Sequence, residues 1–139
     1  MPFDQVLLDT DILSAIMRKN PAVIPKARSY LAVHKQLTIS MITRYEILRG
    51  LKAKDATVQL RHFETFCEKN LILPLTDEII VRASEIYAEL RRKGELVGDA
   101  DILIAASAMI HGLGVVTNNE THFKRISELR VENWLRDDA

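Results

Sequence analysis

Short apolar runs alternate with helix-period segments along this chain, and that alternation limits the possible folds more than any other feature of the sequence. VLL at 6–8, LIL at 71–73 and VV at 115–116 are unbroken apolar runs, and weaker strand signals lie at 37–39 and 129–131. Unbroken apolar strands are buried on both faces, and strands joined through helices run parallel. The expected class is therefore α/β, a central parallel sheet flanked by helices on both faces.

The intervening segments carry helix punctuation. One helix is expected from about Thr10 and another from about Ala22, where Pro21 and Pro25 are tolerated near the first turn. The strand Leu37 to Ile39 leads into a helix that carries Glu46. Val58, Phe63, Phe66 and Cys67 share one side of a helix within Asp55 to Lys69, and Leu71 to Leu73 before Pro74 is a short strand. The clearest helix has Thr76 as N-cap, Asp77 and Glu78 in its first turn, Arg91 to Lys93 in its last and Gly94 as its stop. Its buried stripe is read as Ile79, Ile80, Ala83, Ile86, Tyr87 and Leu90. Asp99 or Asp101 then opens ILIAASAMIH, apolar on nearly all sides and stopped by Gly112. A strand at Val115 and Val116, a short helix from Asn119 and a last strand at Leu129 to Val131 complete the pattern, with Trp134 near the terminus.

A chain of 139 residues with 47% hydrophobic content supports one well-buried core, so a single domain over 1–139 is expected. The 19 basic and 19 acidic side chains cancel, which leaves nucleic-acid contact to a local patch rather than a global field. Arg44, Arg49, Lys52 and Lys54 around Glu46, with Arg18 and Lys19, are the candidates. The lone Cys67 forms no internal disulfide, and MPFDQVLLD lacks the features of a signal peptide, so a cytoplasmic protein is expected. Stretches such as ILIAASAMI reach about half the length of a membrane span, so no membrane association is expected.

Four strand-to-helix junctions place an acid or amide at the sheet edge: Asp9 in VLLDTD, Glu46 in TRYEILRG, Asp99 and Asp101 in GDADILIAA, and Asn119 in VVTNNETHF. In a parallel sheet these junctions converge on one crevice. Gathered carboxylates repel one another unless a cation lies among them, and a hard cation such as Mg²⁺ or Mn²⁺ needs only two or three of them beside its waters. Each acid also has a plainer use as a helix N-cap. Thr10 and Asp11 are the expected caps of the first helix, which frees Asp9, and Asp99 and Asp101 compete for one cap, which frees one of the two. The histidines 34, 62, 111 and 122 show no zinc-ligand spacing.

At these motifs the chain resembles the PIN-domain ribonucleases, and among them the VapC-type toxins of toxin–antitoxin pairs. LLDTDILS, ISMITRYEILRG, GDADILIAASAMIHGLGVVTNNETHF and LRVENW follow the family's order and spacing. The resemblance implies a PIN fold and Mg²⁺- or Mn²⁺-dependent cleavage of RNA. It assigns Asp9, Glu46, Asp101 and Asn119 to the catalytic set, with Asp9 and Asp101 as metal ligands and Asp99, Thr117 and Asn118 assisting. Where many relatives carry a fourth acid this chain has Asn119, which adds no charge, so one metal is expected. Glu46 is either a ligand through water or a base. The resemblance further implies a protein antitoxin whose tail brings an Arg or Lys to the carboxylates. A homodimer is expected from the family and from the apolar supply in 22–33 and 55–73.

Two other readings use the same residues. Asp9-Thr10-Asp11 with a later GDAD is also similar to the motifs of haloacid-dehalogenase-like phosphatases, where Asp9 would attack phosphorus, although Leu13 departs from that pattern and Glu46 has no role in it. A catalytically silent PIN-like module that binds RNA or protein is the third, and its mark would be loss of the acids.

Overall fold

The computed structural model describes residues 4–136, so the expected domain 1–139 extends three residues beyond them at each end. Strands β1 (Val6–Leu8), β2 (Thr38–Ser40), β3 (Leu71–Leu73), β4 (Gly114–Val116) and β5 (Val131–Glu132) form one sheet in the order β3-β2-β1-β4-β5. Every pairing is parallel, with Leu8 opposite Ile39 on one side and opposite Val116 on the other. The α/β expectation holds. Helices α1 (Thr10–Met17), α2 (Ile24–His34), α3 (Met41–Ala53), α4 (Thr57–Lys69), α5 (Asp77–Lys93), α6 (Asp99–Ile110) and α7 (Glu120–Phe123) fill the connections.

Side chains on a strand alternate between faces, and on β1, β2 and β4 both faces are buried, whereas the edge strands are partly open, with Leu71 of β3 44% exposed against the expectation from its apolar run. Val6, Leu8, Ile39 and Val116 enter one core with Ile12 and Leu13 of α1, Tyr30 of α2 and Phe63 of α4. Leu7 and Val115 enter the other with Ile79, Ile86 and Leu90 of α5 and Ile104 of α6. Each such side chain, fully buried, stabilises the fold by roughly 1.5–3 kcal/mol before chain entropy is subtracted. Tyr30 also accepts the Val6 amide proton through its hydroxyl at 3.1 Å, so the start of β1 is satisfied from α2.

Helix α5 follows its punctuation. Thr76 caps the Ile79 amide, and Gly94 adopts φ 68° with its N–H turned back to the last carbonyls. Its buried stripe is narrower than expected: Ile80 is 46% exposed and Tyr87 40%, because they flank the line of Ile79, Ala83, Ile86 and Leu90 that meets α6 and the sheet. Val58 is likewise 51% exposed, since α4 turns only Phe63 fully inward. Helix α6 is buried through Ile102, Ile104, Ala105, Ala106 and Ala108, and its buried Ser107 hydroxyl donates to the Leu103 carbonyl at 2.8 Å. Gly112, at φ 68°, ends the turn after it.

Boundaries shift by a residue or two. β2 and β5 each begin later than the sequence implied, and α2 begins at Ile24 because a turn spans Pro21 to Val23. Among the described residues, no helix is long and apolar enough to cross a membrane.

Candidate active site

The strand order reverses between the parallel neighbours β1 and β4, so the connections that leave their carboxyl ends run to opposite sides of the sheet, the arrangement that opens a crevice there. β1 and β4 stop level with each other, so Asp9 and Thr117 leave the sheet side by side, and the Asp9 amide continues the ladder to the Val116 carbonyl at 2.9 Å. Asp9 is only 6% exposed. Its Oδ1 accepts the Thr10 amide at 2.8 Å, and its Oδ2 accepts the Thr117 hydroxyl, also at 2.8 Å.

These contacts correct one expectation. Asp9 itself is the N-cap of α1, and Thr10 and Asp11 are the first two residues inside the helix. Asp11 has a different task, with Oδ2 accepting the Asn118 amide at 3.0 Å while its buried Oδ1 has no partner. Burial is the largest influence on Asp9, the Asp11 charge adds to it and that of Asp101 adds less, and together they raise its carboxyl to about 7 against the Thr117 and Thr10 hydrogen bonds. Burial also raises Asp11, with Asp101 contributing in the same direction and the Asn118 amide opposing.

Glu46 reaches the crevice from the second turn of α3. Its Oε1 lies 2.6 Å from the Thr10 hydroxyl, which also lies 3.0 Å from the buried Thr43 hydroxyl. Thr10 has one hydroxyl proton and a carboxylate oxygen accepts, so Thr43 is the donor in the second contact. Glu46 Oε2 has the Arg49 guanidinium at 3.9 Å.

The third group stands on α6 and α7. Gly98 occupies the N-cap position of α6 without a side-chain cap, so neither Asp99 nor Asp101 caps that helix. Asp101 Oδ2 accepts the Asn119 amide nitrogen at 3.2 Å, whereas Asp99 is exposed and takes no part in that set. Asn119 precedes α7, and its side chain does not cap it. Its backbone N–H donates to the Thr117 hydroxyl at 2.9 Å, and Asn118 turns its side-chain oxygen to Asn133 at 3.1 Å.

The structure therefore brings Asp9, Thr117 and the Asn118 backbone together, places Asp101 against Asn119 and links Glu46 to Asp9's neighbour Thr10. Sequence reasoning did not give site roles to Thr10, Thr43, Asp11 and His122. A signal existed for two of them: Thr43 lies one turn before Glu46, and His122 one turn after Asn119, each at the i, i+3 spacing that shares a helix face.

Among the described residues, no group of three or more His, Cys, Asp or Glu side chains is placed to hold a metal ion. An open site suits a cation that retains waters and takes one or two carboxylates. The all-oxygen character of Asp9, Asp11 and Asp101, the unpartnered buried Oδ1 of Asp11 and the upward pressure on Asp9 fit such a cation, which would satisfy that oxygen and relieve the crowding.

A family model described as PIN domain matches residues 6–129. Ribonuclease VapC2 of Haemophilus influenzae is 32% identical over 130 residues, 93% of this chain and 97% of that protein. A tRNA(fMet)-specific endonuclease VapC of Shigella flexneri is 33% identical over 129 residues, 92% of this chain and 96% of its own. The DNA-bound VapBC structure from Salmonella typhimurium superposes with a TM-score of 0.83 at 32% identity, covering 95% of this chain and 99% of that one.

Proposed function

Since this chain belongs to the PIN-domain family, we propose that it is a ribonuclease of the VapC toxin type, with a protein antitoxin as its partner and Mg²⁺ or Mn²⁺ as its cofactor. The observation that carries the reading is the crevice at the strand reversal, toward which buried Asp9 and the partly exposed Glu46 and Asp101 come from three separate segments of the chain. Asp9 and Asp101 are the residues to hold the cation, with Asp99 at the exposed margin. A bound divalent ion supplies charge neutralisation at a phosphate oxygen and lowers the pKa of a coordinated water.

The protein's own groups do the positioning. The Thr117 hydroxyl and Thr10 amide fix both oxygens of Asp9, and the Asn118 amide fixes Asp11. Glu46, held by Thr10, is placed to orient or deprotonate the attacking water.

RNA incubated with the purified protein is expected to be cut when Mn²⁺ or Mg²⁺ is present and to survive intact in EDTA. Cleavage that ignores EDTA, or turnover of a small phosphomonoester without RNA cutting, would overturn the reading. An antitoxin with an Arg or Lys in its tail would meet the carboxylates through charge-assisted hydrogen bonds. Self-association belongs to the same proposal, supported by Val33, Val58 and Leu71, which are 44%, 51% and 44% exposed. Light scattering at micromolar concentration should give twice the chain mass, and a monomer mass would remove that part.

A further inference from the structure

Asp101, one of the two residues proposed to hold the cation, converges with Asn119 and His122, to which the proposed chemistry gives no part. Asn119 Nδ2 lies 3.2 Å from Asp101 Oδ2 and 2.8 Å from His122 Nδ1, and those two acceptors stand 3.4 Å apart. An amide nitrogen only donates, so Nδ1 of His122 turns its lone pair into this triangle. The carboxylate oxygen and the imidazole nitrogen thus share one small positive group, in the place where a cation would serve both.

Neighbouring ligands of an octahedral cation with bonds of about 2.1 Å are separated by about 3.0 Å. The triangle's edges of 2.8, 3.2 and 3.4 Å bracket that separation. A half-turn of the Asn119 amide exchanges its NH₂ for its carbonyl oxygen, which converts the occupant of the triangle into a third ligand without moving the backbone. The His122 side chain is 42% exposed, and that of Asp101 22%, which leaves the outer side open to coordinated water.

We propose that Asp101, the Asn119 carbonyl oxygen and His122 Nδ1 form a half-site for a first-row transition-metal dication, taken in preference to Mg²⁺. Imidazole nitrogen is a poor partner for Mg²⁺ and a good one for transition metals, so a histidine beside the uncharged Asn119 changes which cation the crevice prefers. The inference deepens the nuclease reading and rests on it for the biological use of the metal. The metal binding itself stands apart from RNA cleavage.

The test is a titration of metal-stripped protein with MnCl₂, followed by the loss of the free Mn²⁺ paramagnetic resonance signal, with MgCl₂ as competitor. Wild type is expected to hold Mn²⁺ at least tenfold more tightly than Mg²⁺. His122→Gln, which keeps an acceptor for the Asn119 amide, and His122→Ala are each expected to reduce that preference about tenfold, mostly through weaker Mn²⁺ binding. Melting of both variants without metal checks that the half-exposed position has not disturbed the fold. An Mn²⁺-to-Mg²⁺ ratio unchanged in the folded variants, or no preference in wild type, overturns the half-site even where RNA is still cut. The expected change of ratio in a protein that cuts no RNA supports the half-site and removes the nuclease reading instead.

Discussion

Asp9→Asn is expected to stabilise the metal-free protein while it removes RNA cleavage. The folded chain holds the Asp9 carboxyl at about 7, above its ordinary 3.8, mainly because the group is buried beside Asp11. A carboxyl raised in the folded state contributes its full stability below pH 4 and loses it as the pH climbs through 7. At pH 8 the charged form therefore costs the native state up to about 4 kcal/mol. Asparagine caps a helix nearly as well as aspartate, and its oxygen can still accept the Thr10 amide. Its NH₂ would face the Thr117 hydroxyl oxygen, which can accept. A gain of about 2 kcal/mol at pH 8 is expected, seen as a rise of about 8 °C in melting temperature, shrinking towards nothing near pH 4. Cleavage should fall at least about 100-fold, since altering even an outer contact of a metal ligand costs 10–100-fold. A variant less stable than wild type at pH 8 would show that burial is not what strains Asp9.

Glu46→Gln should separate chemistry from structure at the opposite wall of the crevice. The glutamine carbonyl oxygen can keep the 2.6 Å contact with the Thr10 hydroxyl, so the link between α1 and α3 survives. Only proton-accepting capacity and charge are lost. General-base or water-orienting roles are worth about 10²–10⁴ in rate, and cleavage is expected to fall by that order while the metal-free melting temperature moves by less than about 2 °C. If activity is retained, Glu46 has only a structural role through Thr10. If the fold is lost, the placement of Thr10 and Thr43 depends on the charge.

What the sequence made legible was what depends on local pattern. Asp9, Asp101 and Asn119 could be placed because each stands where an apolar strand ends or a helix begins, and parallel topology gathers such points at one edge. The cap of α1 was misread because the assignment turns on a single residue: β1 ends at Leu8, so the first residue able to cap is Asp9 and not Thr10. Asp11 gains its site role through Asn118, a partner 107 positions away, and no local pattern encodes that contact, whereas Thr43 was marked only by its place one turn before Glu46. The exposure of Ile80 and Tyr87 escaped for a related reason. Periodicity identifies the side of α5 that is buried, but the width of the buried stripe depends on how α6 lies against it.

The site is also assembled late in the chain's synthesis. Thr117 meets Asp9 across 108 positions, and β4, which Thr117 directly follows, fills the place beside β1 that no earlier strand occupies. A ribosome that has made Asp9 and Glu46 has made two walls of a crevice with no third, and at about 5–20 residues per second several seconds pass before residue 119 is added. During that interval the nascent chain lacks the contacts that order Asp9. The fold thus completes the site only when translation of this chain is nearly finished, because Thr117 and Asn119 must be present before Asp9 and Asp101 have their partners.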